Sequence, residues 1–436
     1  MKQIRFIVLV FAFAGFAFGQ GSHQEPGDAG VMLSLSPQHQ VIVRAMYQDM
    51  YTRIPPPQIT DHPATATFIV TYNGFTPAAQ AAFQRAVDIW SSLLVSAVSI
   101  RVTANWTPLG PGILGSAGAS TIYRDFSGAP QPGTWYAVAL AEKLAGIDLN
   151  ATTTADINAN FSSSISNWYY GTDGNPPPGQ FDLVSIVLHE LGHGLTFFGS
   201  MTVSSGQGSW GLGTGFPVVY DRFAETGAGQ SLINTTLFPN PSATLATQLQ
   251  SNAVFFNGPQ AVAGNGGTRP PLYVPASWIS GSSYSHLNES TYPAGNPNSL
   301  MTPSFGTAEA IHNPGPVALG MFRDMGWTTT SVSVNDYDAE SHPVTVSLYQ
   351  NFPNPFNPST TIQYRLAAQS HVTIKVYDVM GRELETLVDG DLYGGYHDVR
   401  WDATAASSGV YFCRIDIKES NSSGMFHDVR KMTVIK

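Results

Sequence analysis

The chain has 436 residues, 43% hydrophobic and 11% charged, with 42 glycines and 30 prolines. So little charge in so long a chain rules out intrinsic disorder, and the turn-rich composition speaks against a helical bundle. A net charge of −10 excludes nucleic acid as a partner, because a phosphate-binding surface needs clustered Lys and Arg.

The length predicts two domains plus accessory segments. Residues 1–19 join a short basic region, Met1 to Arg5, to an apolar run that leaves through small residues at Ala17 and Gly19. That pattern reads as a signal peptide cut near Gly19–Gln20. No later segment is apolar for long enough to cross a bilayer, so an exported protein without a membrane span is expected after signal removal. Cys413 is the one cysteine, which excludes an intramolecular disulfide; its run, Gly409 to Ile417, reads as a strand.

Residues 20–62 read as a propeptide or as an N-terminal extension wrapping the domain. They include a helical-looking patch, His39 to Met50, and end beyond Ile54-Pro55-Pro56-Pro57. They contain no cysteine, so no thiol from this region can block a metal.

A domain is expected over residues 63–328. Ala64–Tyr72 alternates like a strand. Thr76 caps a helix with Pro77 at its first position and Phe83, Val87, Trp90 and Leu94 at helical spacing. Val98–Trp106 reads as a second strand, and Ala155–Phe161 as another at a sheet edge, where an extended peptide could add.

Asp182 then caps a helix whose apolar side carries Val184, Val187, Leu188 and Leu191. It contains His189-Glu190-Leu191-Gly192-His193, an HExxH motif. His189 and His193 stand one turn apart, so both imidazoles can reach one ion, and neutral imidazoles suit Zn2+. Glu190, beside them, can take a proton from a metal-activated water and return it to a leaving amine. A catalytic zinc needs a third protein ligand. The extended HExxHxxGxxH pattern would supply one at position 199, but Thr196 and Gly199 stand at its glycine and histidine. The residues alone leave four candidates: Asp221 within Val219–Phe223, His286, Glu289 and His312.

Residues 329–345 are rich in Thr, Ser and Asp and read as a linker. Residues 346–436 contain five alternating runs, 360–366, 372–377, 397–401, 410–417 and 429–435, that predict a small antiparallel β-sandwich.

Strand, long helix, strands and HExxH helix is the order in which zincin metallopeptidases build their N-terminal half. With Ser285-His286, Leu300-Met301-Thr302-Pro303 and Val317–Trp327 added, the chain resembles the leishmanolysin-type metzincins. Tyr220-Asp221-Arg222-Phe223 and Ser285-His286-Leu287-Asn288-Glu289 resemble segments of secreted bacterial metallopeptidases that follow their HELGHG. The resemblance spans roughly residues 64–327 and implies an α+β, zincin/metzincin-like catalytic domain. It implies His189, His193 and His286 as ligands of one catalytic Zn2+, Met301 packed beneath the metal, and Glu190 as general base. Ca2+ is the second candidate ion. The implied activity is endopeptidase action on protein or peptide substrates; the alternative is a surface-exposed binding or adhesion protein with a structural zinc.

At the C-terminus, Leu348–Ile362, Val376–Arg382, Ser407–Phe412 and Arg430–Lys436 resemble the C-terminal sorting domain of the type IX secretion system. This implies an all-β, Ig-like sandwich, partnership with the type IX machinery, and export through periplasm and outer membrane to the cell surface or medium.

Overall fold

A computed structural model describes residues 30–35, 39–43, 49–57, 65–330, 346–351, 353–366, 370–392, 395–419 and 425–436. The signal peptide (1–19), the start of the extension (20–29) and linker residues 331–345 lie outside the described residues.

The architecture is mixed α/β, with strands far outnumbering helices. Three strands come from the N-terminal extension: β1 (Val31–Ser34), β2 (His39–Val43) and β3 (Asp49–Ile54). The helical-looking patch at His39–Met50 is therefore strand at both its ends. Its Val41-Ile42-Val43 run is β-branched, stiff at χ1 and suited to a pleated surface.

Next come β4 (Phe68–Asn73), α1 (Pro77–Leu93), β5 (Ile100–Thr107), β6 (Ile113–Ala119), β7 (Thr121–Arg124), α2 (Val138–Ala145), β8 (Ile157–Ser162) and α3 (Leu183–Leu195). Thr76 caps α1 by accepting from the Ala79 N–H, and Pro77 opens the helix, where its missing N–H costs nothing. Phe83, Val87 and Trp90 form the buried stripe with Ala79, Ala82 and Ala86. The Trp90 indole donates to the Leu188 carbonyl at 2.9 Å, fastening α1 to the middle of α3.

After a long irregular stretch follow β9 (Ser304–Phe305), β10 (Thr307–Ile311) and α4 (Gly315–Met325). The main sheet runs β9-β2-β6-β8-β5-β4. Strands β4, β5 and β8 are mutually parallel; β6 is antiparallel to β8. The segment read as a sheet edge, Ala155–Phe161, thus sits inside the sheet. Ile157, Ala159 and Phe161 of β8 are fully buried, and both of its backbone edges are paired. Thr328–Thr329 pairs with Leu94–Val95, so the first residues read as linker belong to this body.

The C-terminal region holds β11 (Ser359–Leu366), β12 (Ser370–Tyr377), β13 (Glu383–Leu392), β14 (Gly395–Asp402), β15 (Gly409–Glu419) and β16 (Met425–Val434). One sheet runs β13-β12-β15-β16; β11 and β14 pair in another. Buried residues from both sheets form one apolar cluster between Leu348 and Val434, separate from the cluster spanning Ile54 to Trp327. Strand β13 was not legible as a run: at a sheet edge it exposes Asp and Glu, and shows no apolar alternation. Among the described residues no helix is long and apolar enough to cross a membrane.

Candidate metal centre

Asp182 builds the start of α3. Its Oδ2 accepts from the Ser185 N–H at 2.9 Å and from the Ser185 hydroxyl at 2.6 Å, capping donors that the helix itself cannot satisfy. The same oxygen accepts Nε2–H of buried His312 at 2.8 Å, and Ser185 Oγ accepts the Ile311 N–H at 2.6 Å. His312 is thus engaged at the far end of the helix from the HExxH pair. At the other end Thr196 closes α3 with an extended φ of 166°, which any residue adopts.

Every residue of α3 is buried, and His189, Glu190, His193 and His286 are 0% exposed. The three Nε2 atoms form a triangle: His189–His193 3.0 Å, His193–His286 3.1 Å and His286–His189 3.3 Å. On the far side of each ring, Nδ1 lies 2.6 Å from a backbone carbonyl: Leu300 for His189, Phe197 for His193, Ser282 for His286. A carbonyl can only accept, so each Nδ1 carries the proton and each Nε2 turns a lone pair inward. Burial, partly offset by the bond to Leu300, pushes the His189 imidazole down to about 4, so it is neutral at physiological pH.

Three inward lone pairs in an apolar pocket repel one another unless a cation sits among them. The spacing fits such a cation: nitrogen ligands at about 2.0–2.1 Å from a tetrahedral zinc are roughly 3.3–3.4 Å apart. Among the described residues this trio is the one group of His, Cys, Asp or Glu side chains able to hold a metal.

Asp221 and Glu289 do not join the trio. Glu289 accepts from the Ser304 hydroxyl at 2.7 Å. Asp221 is wholly buried and accepts the Ser200 and Val218 N–H groups at 2.9 Å each, the Tyr284 hydroxyl at 3.0 Å, and the Ser200 hydroxyl. Burial raises its carboxyl pKa and these donors counter the rise. Its work is to hold Tyr284, two residues before His286, in a left-handed conformation (φ 74°) uncommon for an aromatic. The Tyr220 hydroxyl adds a bond to the Tyr284 carbonyl at 3.0 Å.

Gly199 stands where the extended motif would carry its histidine. A Cβ there would lie 2.1 Å from the Tyr284 ring. The Gly199 N–H donates to Ser285 Oγ at 3.1 Å. The loop that delivers His286 thus packs into the space a longer side chain at 199 would fill. Tyr284 and Ser200 are supporting residues without a sequence signal of their own, and the supporting roles of Tyr220 and Gly199 show only in the fold.

Met301 ends a short 3-10 turn, Ser299–Met301, which packs against α3. Met301 is fully buried, and its carbonyl accepts the Leu287 N–H at 2.8 Å. One turn therefore ties two ligands: Leu300 orients His189, and Met301 anchors the residue after His286.

Residues 350–426 match the family described as the secretion system C-terminal sorting domain. The C-terminal domain is a type IX secretion sorting domain. It directs export to the cell surface or extracellular space, and its recognition implies contact with the type IX machinery. Within the sorting domain, Cys413 is buried in β15 and its thiol is pushed up to about 12 by desolvation, which leaves it inert.

No curated protein matches the chain. Solved structures with partial likeness include a β-glucuronidase of Parabacteroides merdae, at 15% identity over 20% of this chain and 13% of that one, with TM-score 0.16. PorZ, a surface component of the type IX secretion system of Porphyromonas gingivalis, matches at 22% identity over 26% of this chain and 14% of its own, with TM-score 0.15. An endo-β-1,4-mannanase of Thermotoga petrophila matches at 12% identity over 30% and 26%, with TM-score 0.17. The chain thus spans 13% to 26% of these proteins, and TM-scores this low establish no shared fold or activity.

Proposed function

We propose that the chain is a secreted zinc-dependent endopeptidase of metzincin type, whose Ig-like sorting domain delivers it outside the cell. The observation that carries the reading is the buried triangle of three Nε2 atoms, each ring fixed by a backbone carbonyl, with Glu190 on the helix that provides two of them. Three protein ligands leave a fourth position open, as a catalytic zinc requires; a structural zinc is closed by four.

His189, His193 and His286 would hold the ion. When bound, zinc supplies Lewis acidity, acidifying a water and polarising the scissile carbonyl. Glu190 accepts the proton of the attacking water and passes it to the departing amine. The carbonyls of Leu300, Phe197 and Ser282 keep the imidazoles in the ligating tautomer, and α1 with the Met301 turn keeps water from the far side of α3.

The test is Glu190→Gln in the zinc-loaded protein, assayed on β-casein with the whole chain and with residues 20–57 cut away. Metal content should stay at one per chain while hydrolysis falls about 10²–10⁴-fold. A wild-type protein that binds zinc yet cleaves nothing in either form would make it a binding module with a structural metal.

A further inference from the structure

Strand β3 of the N-terminal extension has a neighbour on each side, and the two belong to different parts of the chain. One is β10 of the metal-bearing body, paired parallel, with Thr307 opposite Asp49 and Ile311 opposite Ile54. The other is β14 of the sorting domain, where His397 stands antiparallel to Thr52. A single sheet therefore runs β10-β3-β14-β11 with the extension in its middle. Among the described residues no strand of 65–330 pairs directly with a strand of 346–436.

Between the pairs Thr307–Asp49 and Glu309–Thr52 the register shifts: one body residue, Ala308, stands against two of the extension, Met50 and Tyr51. Such a bulge bends its strand and re-aims a side chain. Tyr51 takes a left-handed backbone there, φ 48°, which a bulky residue keeps only where its surroundings over-determine it. Its ring packs against the apolar cluster of the sorting domain.

The rest of β3 is fastened to the body. Asp49 accepts from the Thr307 hydroxyl at 2.7 Å and the Gly179 N–H at 2.6 Å, and the His312 N–H donates to the Ile54 carbonyl at 2.8 Å. The Arg53 guanidinium donates to Asn175 Oδ1 at 3.1 Å. Gly295, on the loop after His286, closes on the junction: a Cβ there would lie 3.1 Å from Thr52 Cγ2 and 3.9 Å from His397 Cε1.

Direct packing of body on sorting domain is thin by comparison. A cavity of about 330 Å³ parts the Asp173–Pro178 loop from Ser359–Thr361 and Arg400, with Tyr51 and Thr52 in its wall. A sheet whose middle strand comes from neither region joins the two while that strand stays in place. From this arrangement we infer that the N-terminal extension is a clasp between the body and the sorting domain. Strand β3 covers the β14 edge and Tyr51 reaches the sorting domain's core. Loss of the extension frees the sorting domain from the body and bares β14, an edge able to take another strand. Processing at the N-terminus thereby liberates the C-terminal domain as well. This inference goes beyond the reading of the metal site and does not depend on it.

Distances between two spin labels on the full chain test this, in a Glu190→Gln background that excludes self-cleavage. The labels sit on cysteines replacing Ala81, exposed on α1, and Leu384, 48% exposed in β13; buried Cys413 stays unlabelled. Two variants open the clasp. Thr52→Pro removes an N–H from a central strand, and Tyr51→Asn deletes the ring while keeping a left-handed turn that Asn tolerates. The intact chain should give one narrow distance peak. Each variant should broaden it, and amides of β14 should exchange at least about tenfold faster. Removing the wild-type extension, after a cut at a site-specific protease sequence inserted behind Pro57, should broaden the peak equally. A peak that stays narrow in Tyr51→Asn with unchanged exchange, or once the extension is gone, overturns the clasp. So does an intact chain whose distribution is already as broad as the variants'. If Thr52→Pro fails to fold, Tyr51→Asn and the cut protein decide.

Discussion

His286 meets His193 although 93 positions separate them, and the meeting depends on residues that bind no metal. Gly199 leaves room for the Tyr284 ring, Asp221 holds the Tyr284 hydroxyl, and Ser285 Oγ takes the Gly199 N–H. Two substitutions separate ligand from support. His286→Ala should remove the metal outright, because two imidazoles and water do not retain zinc against a chelator. Gly199→Ala should keep α3 and the fold but drive its Cβ into Tyr284, tilting the loop and weakening zinc binding about 10–100-fold, as loss of ligand-orienting contacts does elsewhere. Competition with a chromophoric zinc chelator measures both. Wild-type affinity in Gly199→Ala would show that the loop can move without moving its histidine. The histidine pair was legible in the sequence because HExxH is local: helical pitch alone puts the two rings on one face. No local signal joins position 286 to them, and only the resemblance of Ser285-His286 and Leu300-Met301 to metzincin segments pointed there. The roles of Gly199 and Tyr284 arise from a close approach between distant segments, which a sequence does not display.

At the scale of elements, legibility follows the range of the forces involved. Helices α1 and α3 begin at Thr76 and Asp182 because a cap satisfies N–H groups within three residues. The interior position of β8 and the strand at His39–Val43 depend on partners elsewhere in the chain, so β8 read as an edge and β2 as helix. Helix α2 shows a further dependence on context. Glu142 is 1% exposed, and its Oε1 accepts the Leu149 and Asn150 N–H groups at 3.0 and 3.3 Å, fixing the turn that leads into β8. Burial first, and the charge of Asp156 next, push its carboxyl up to about 8. The folded chain therefore holds a proton between pH 4.5 and 8 that the unfolded chain has lost, so this group's contribution falls as pH rises through that window. Glu142→Gln keeps the accepting oxygen and removes the titration. It should unfold within a degree or two of wild type at about pH 4.5 and about 5–10 °C above it at about pH 8.5, by scanning calorimetry. An equal difference at both pH values would mean that the carboxyl does not titrate in this window.

At the scale of the molecule, most of the buried apolar residues among those described gather in two clusters with no shared member, one between Ile54 and Trp327 and one between Leu348 and Val434. Among the described residues, backbone pairing between the two regions is confined to His397 with Thr52. Removing residues 346–436 therefore costs the first region little of its core, and the metal trio lies entirely within it. Export, by contrast, belongs to the sorting domain. The truncated chain should fold, bind one zinc with wild-type affinity and accumulate in the periplasm, while the full chain reaches the medium or the cell surface. Fractionation with immunodetection, alongside metal analysis of the periplasmic material, reads both properties from one culture. Fusing residues 346–436 to an unrelated periplasmic protein supplies the reciprocal case: the passenger should leave the cell although it has no metal site. Undiminished release of the truncated chain would assign export to residues before 346. Loss of zinc from it would mean that the sorting domain, through the pairing of Thr52 with His397, helps to hold the metal site.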